Sequence, residues 1–200
     1  MINILTENLP ETVIIDDTEV RINTDFRISL QFEMLVQSDI PKKDKILKAL
    51  KLYYPKIPRN IKKAVECIIE FYSGSEISEN KSEKVKKSSP VYSFRYDSDY
   101  IYSAFLQAYN IDLSTEKMHW YKFRALFRSL PENCEIVKIM GYRAMNITSD
   151  MSNKQREHYQ KLKKIYALPV FEGERKMLNE IEDALMNGDN VQEIIKKYEG

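Results

Sequence analysis

The residue types best suited to acid–base or nucleophilic chemistry are scarce in this chain. His119 and His158 are its only imidazoles, and Cys67 and Cys134 its only thiols. His119 stands beside Trp120, and paired with Asp112 or Cys134 it would give a hydrolase-type constellation. No nucleophile signature surrounds any Ser or Cys, however, and a histidine on a Trp- and Phe-rich helix more often packs than catalyses. Both cysteines lie in apolar-periodic segments, the setting of an inert buried thiol. No HxxxH, HExxH or CxxC spacing offers a metal set. Asp97, Asp99 and Asp112 could hold a cation together, but Asp97 and Asp99 are explained more simply as helix N-terminal carboxylates. The expectation is no catalytic residue, no metal and no cofactor.

Phosphate-handling chemistry fares no better. With 5 glycines among 200 residues, neither GxGxxG nor GxxxxGK[ST] can be assembled. Lys42, Lys43, Lys45, Lys48 and Lys51, and later Lys161, Lys163 and Lys164, interleave with tyrosines and could grip a nucleic acid. Yet 31 Lys+Arg against 30 Asp+Glu leave a net charge of +1, so these runs read as solvated helix faces. A nucleic-acid partner is disfavoured. With 13 Tyr, 8 Phe and 8 Met, the chain has ample core material and side chains favoured at protein interfaces.

The elements that must position these residues follow from the spacing of apolar groups. Val13 to Ile15 and Val20 to Ile22, separated by Asp16 to Glu19, predict a β-hairpin. Residues from Phe26 onward fit either period, but Thr24 or Asp25 as a cap and Glu33, Met34 and Gln37 tip the reading to helix. Pro41 opens a helix carrying Ile46, Leu47, Leu50 and Tyr54; Pro58 opens another that stops at Gly74. Asp97 is the expected cap of a helix with an inner face of Tyr100, Ile101, Ala104, Phe105 and Ala108. Ser114 is the expected cap of the Trp120, Phe123, Leu126 and Phe127 helix, and Pro131 the start of the next, through Tyr142. Ser152 and Gln155 form a capping-box pair ahead of Tyr159, Leu162 and Tyr166.

The resulting class is mainly α with a small N-terminal β-hairpin, as one helical bundle or as two helical subdomains joined by a linker. The expected divisions are residues 1–74, hairpin plus helices; 75–91, a flexible linker nearly devoid of apolar groups; 92–169, a helical domain; and 170–200, an amphipathic helical extension. The N-terminus has no secretory pattern, and no run approaches the ~20 apolar residues of a membrane span. No membrane association is expected.

The second half carries a specific run of words. Tyr92-Ser93-Phe94, Asp97-Ser98-Asp99-Tyr100-Ile101-Tyr102-Ser103-Ala104-Phe105 and Tyr109-Asn110-Ile111-Asp112-Leu113 lead into His119-Trp120-Tyr121-Lys122-Phe123-Arg124-Ala125-Leu126. Leu130-Pro131-Glu132, Lys138-Ile139-Met140-Gly141-Tyr142-Arg143 and Ala167-Leu168-Pro169 follow, and Thr24-Asp25-Phe26-Arg27 fits the start. This string resembles the bacteriophage "gene product fifteen" family of siphophages and prophages of Gram-positive bacteria, over most of residues 1 to 169. The resemblance implies a tail assembly chaperone, acting in the host bacterial cytoplasm, with the tape measure protein or other tail components as partner. Homo-oligomerisation suits that role, and no catalytic residues carry over. A structural tail completion or connector component, or a nucleic-acid-binding phage factor, are the competing readings. Tyr100, Phe105, His119, Trp120, Phe123, Arg124, Tyr142 and Arg143 are the candidate structural or interface residues, with His119 and Trp120 expected to stabilise the fold.

Overall fold

A computed structural model describes residues 3–74 and 90–169. The expected extension at 170–200 and most of the expected linker (75–89) lie outside these. Described residues up to Tyr166 belong to one compact unit, which carries a two-stranded hairpin followed by seven helices; residues 167–169 belong to another.

The hairpin pairs β1 (Thr12–Ile15) with β2 (Thr18–Arg21) in antiparallel register, Ile15 opposite Thr18. Its turn is tighter than the four polar residues of the sequence reading. Only Asp16 and Asp17 lie between the strands, both in left-handed conformation (φ 48° and 57°), which Asp tolerates better than most residues and which matches strand twist. A hairpin alone is marginal in water. Here Ile15 is buried in the core, and Asn60 donates to Asp16 Oδ1 at 2.7 Å.

Helix α1 (Phe26–Gln37) resolves the period ambiguity: Asp25 caps it by accepting from Arg27 N at 2.9 Å, and Phe26 and Ser29 are buried. Helix α2 (Lys42–Tyr53) follows Pro41, and its end buries Ala49, Leu50 and Tyr53. The same Asn60 that holds the hairpin caps α3 (Ile61–Ser73), so that helix begins three residues beyond Pro58. Gly74 ends it at φ 65°. The second half contains α4 (Ser98–Tyr109), α5 (Trp120–Arg128), α6 (Glu135–Ala144) and α7 (Asn153–Ile165), the last opened by the Ser152–Gln155 capping box.

Two further boundaries and one cap differ from the sequence reading. Ser114 caps no helix: it donates its N and Oγ to Asp112 Oδ1 at 2.8 and 2.6 Å in a turn, and α5 begins at Trp120 with His119 as cap. Pro131 starts a turn, and α6 begins after Cys134. Asp97 occupies the cap position of α4 without a capping hydrogen bond, because its carboxylate is engaged elsewhere. Tyr100, expected on the inner face, is 39% exposed, while Ile101, Ala104 and Phe105 of that face are buried.

The segments on either side of 75–89 do not form separate subdomains; they share one core. Phe26 of α1 stacks on Phe123 of α5 with centroids 4.8 Å apart. Phe123 is fully buried and also stacks on Phe105 of α4, Trp120 and Phe127. One ring therefore ties α1, α4 and α5 together. Offset aromatic contacts of this kind add roughly 0.5–1.5 kcal/mol each beyond burial.

Candidate functional site

The joint between the two halves is built around His119. Its backbone forms a bridge with Asp25: Phe26 N donates to Met118 O at 2.9 Å and Trp120 N to Thr24 O at 2.8 Å. A carbonyl can only accept, so the 3.1 Å contact to Pro10 O places the proton on Nε2. Nδ1 is then free to accept from Tyr121 N at 3.1 Å and cap α5. Burial holds the imidazole pKa below its ordinary 6.5, with the Lys122 charge acting in the same direction. The ring packs edge-on to Phe71 and Tyr121. Neither Asp112 nor Cys134 is among its partners, and the hydrolase-type pairing weighed from sequence is not assembled.

Arg27 makes the same joint from the other side. Its guanidinium donates to Leu113 O at 2.7 Å and Glu116 O at 2.8 Å, pairs with Asp25 at 3.2 Å, and lies over the Phe26 ring. The loop before α5 is thereby fixed to the start of α1. No sequence signal beyond its place in the Thr24–Arg27 word marked this residue.

Trp120 is 3% exposed, and its Nε1 donates to Tyr72 O at 2.8 Å. Arg124 donates to the same carbonyl at 3.2 Å and sits over the Trp120 ring. Tyr72 is in the last turn of α3, where carbonyls lack helical partners, so Trp120 and Arg124 cap that end from across the core. Gly74 completes the fit: a Cβ there would lie 2.4 Å from Arg124 Nη1.

Beside this joint runs a groove of about 540 Å³ between α3, α5 and α6. Phe94, Phe123, Phe127, Val137 and Met140 give it an apolar floor; Glu33, Tyr72, Tyr92, Arg124 and Arg128 give it a polar wall. The Tyr72 hydroxyl donates to the Glu33 carboxylate. Burial raises the Glu33 pKa, an effect the Tyr72 bond only partly offsets, and the Tyr72 phenol is pushed far up. The sequence marks Glu33 only as a helix-favouring residue. Its one detectable sign was position: it follows Phe26 by seven residues, on the buried stripe of α1.

A second polar centre lies at Arg143. It donates to both oxygens of Asp97, to Val91 O at 3.0 Å and to Tyr166 O at 2.6 Å. Asp97 also accepts from Ser93 N at 2.8 Å. Asp112 is engaged by Ser114, whose hydrogen bonds hold its pKa low, and Asp99 by Ser98. The three carboxylates thus serve separate local roles and do not converge on a cation. Tyr142 stacks on Tyr166 at 5.7 Å, and Tyr100 remains on the surface. Of the eight candidate residues, Trp120, Phe123 and Arg124 line the groove, Phe105 packs beneath Phe123, and His119 holds the adjoining cap. Tyr142, Arg143 and Tyr100 lie apart.

Among the described residues no three His, Cys, Asp or Glu side chains are arranged to hold a metal ion, and no helix is long and apolar enough to cross a membrane. Neither a curated protein nor a solved structure matches the chain. The family model for the bacteriophage Gp15 protein matches residues 5–168, spanning the hairpin, the seven helices of the described residues and both polar centres. The chain belongs to the bacteriophage Gp15 protein family.

Proposed function

We propose that this phage protein is a tail assembly chaperone that binds the tape measure protein and keeps it soluble during tail morphogenesis in the host cytoplasm. It works by binding and not by catalysis, needs no cofactor, and acts as a homo-oligomer. The observation that carries this reading is the groove between α3, α5 and α6. Aromatic rings and Met140 offer an apolar, adaptable floor, and the Glu33–Tyr72 pair and two arginines offer hydrogen bonding along the wall. A long helical client exposes apolar stripes before its tail subunits cover them, and such a groove can shield one of these. Membership of a bacteriophage protein family supports this reading.

Co-expression with the tape measure protein tests this. The client should become more soluble and co-purify, and mass spectrometry of purified virions should not find the chaperone. Met140→Glu, which puts a charge on the floor of the groove, should abolish co-purification while leaving the helical circular dichroism intact. Failure to co-purify with any tail component overturns the proposal, and presence of the protein in mature virions favours a structural tail role.

A further inference from the structure

Helices α1 and α2 leave a second groove, of about 510 Å³, on a different face from the aromatic one. Met34, Leu35, Ile40 and Leu52 form its apolar part, and Lys48 and Lys51 stand along it. The helical spacing that places Leu50 and Tyr54 inside would also bury Ile46 and Leu47, yet these are 42% and 46% exposed. Leu47 lies one turn before Lys51 and extends the apolar surface beside the lysine.

The charge of this face is one-sided. Helix α2 carries five lysines and one aspartate. Lys45 donates to Val36 O at 2.7 Å at the end of α1. Among the described residues no carboxylate pairs with Lys48 or Lys51. An apolar strip bordered by ammonium groups that no carboxylate of the described residues pairs with is complementary to one kind of surface: apolar side chains at helical spacing flanked by carboxylates.

We propose that the α1–α2 groove is a docking site for an amphipathic helix of a partner protein that carries acidic residues beside its apolar stripe. The partner's leucine-like side chains fill the strip of Met34, Leu35, Ile40 and Leu52, while its carboxylates meet Lys48 and Lys51. The stems of those lysines cover apolar surface and keep their charged ends at the rim. Two other occupants fit less well. A nucleic acid gains its sequence-independent affinity from base stacking as well as phosphate contact, and no aromatic ring or arginine lines this groove. A second copy seated symmetrically on the same face would bring one lysine-rich α2 against another. The site is independent of the tape measure reading.

Fluorescence anisotropy with the full chain and labelled helical peptides tests the proposal. One peptide carries leucines at i, i+3, i+4 and i+7 flanked by glutamates; a second replaces those glutamates by lysines; a third replaces the leucines by serines. The acidic peptide should bind saturably, and the other two about tenfold or more weakly. The double variant Lys48→Glu/Lys51→Glu changes only exposed side chains, so its circular dichroism should match the parent. It should lose at least about tenfold in affinity for the acidic peptide and come to prefer the basic one. Equal binding of acidic and basic peptides, or unchanged affinity in the double variant, overturns the proposal. So does tighter binding of a single-stranded oligonucleotide than of the acidic peptide, or a loss of self-association as the only effect of the charge reversal.

Discussion

Arg143 grips Asp97 with two nitrogen–oxygen contacts, of 2.6 and 2.9 Å, at a site where the carboxylate is 2% exposed. The same guanidinium holds the carbonyls of Val91 and Tyr166, so one side chain of α6 joins the segment entering α4 to the end of α7. A buried charge left without its partner is costly, even where the intact pair adds little net stability.

Arg143→Ala should therefore destabilise the fold by about 3–5 kcal/mol, because Asp97 stays buried with only Ser93 N as donor. Asp97→Asn removes the stranded charge. In the double variant the combined loss should fall short of the sum of the single losses by at least about 0.5 kcal/mol. Urea unfolding of the four proteins measures this; strict additivity would mean that the two groups are not coupled.

Trp120→Ala should cost about 3–5 kcal/mol, as expected for removal of a large buried ring. Trp120→Phe keeps a ring between Tyr72 and Phe123 but leaves the indole bond to Tyr72 O unmade, and should cost less. The two thermal melting curves separate packing from the hydrogen bond. Wild-type melting of Trp120→Ala would contradict the burial.

His119 should make stability depend on pH. Its folded-state pKa is depressed below 6.5 by burial, so between these values the unfolded chain binds a proton that the native protein does not. This contribution is fully present above pH 6.5 and is lost as the pH falls through the folded value. Protonation of Nδ1 would also turn the acceptor that caps α5 into a donor facing Tyr121 N. His119→Asn keeps a capping acceptor that does not titrate. Chemical denaturation from pH 7.5 to 5 should therefore show a steeper loss for the parent than for the variant.

Gly74→Ala should be destabilising by more than the roughly 1–2 kcal/mol of placing a Cβ at a left-handed position, here φ 65°. The added methyl also meets Arg124 Nη1, which must give up its hold on Tyr72 O. With Arg124→Ala in the background the penalty should shrink toward the conformational cost alone. An equal penalty in both backgrounds would show that the contact with Arg124 is immaterial.

What was legible in the sequence was local. Asp25 capping α1, Gly74 ending α3 and the Ser152–Gln155 box at α7 each involve groups within four residues, where chain connectivity already brings the partners together. The β-branched runs Val13 to Ile15 and Val20 to Ile22 and the apolar spacing of Phe105, Phe123 and Ile139 likewise set the class of the fold and much of its core. Local cues failed where a distant group took the capping atom or fixed the backbone. The sequence predicts Asp97 as a cap, but its carboxylate belongs to Arg143, 46 residues on. The sequence likewise predicts Ser114 as a cap, but the backbone bridge from Thr24 and Phe26 fixes Met118 to Trp120 as an extended segment and sets the start of α5 at Trp120.

The grooves belong to the same division. By itself the sequence determined that seven helices and a hairpin would form among these residues and that rings would fill their centre, because burial follows the period of each element. Only the tertiary structure decided that Trp120 would cap α3, that Glu33 would face Tyr72, and that Leu47 would remain exposed beside Lys51. A helical stripe is wider than the area any one neighbour covers. Which part of it becomes core and which part stays open is settled by how the helices cross, and one helix's residues do not encode that crossing alone.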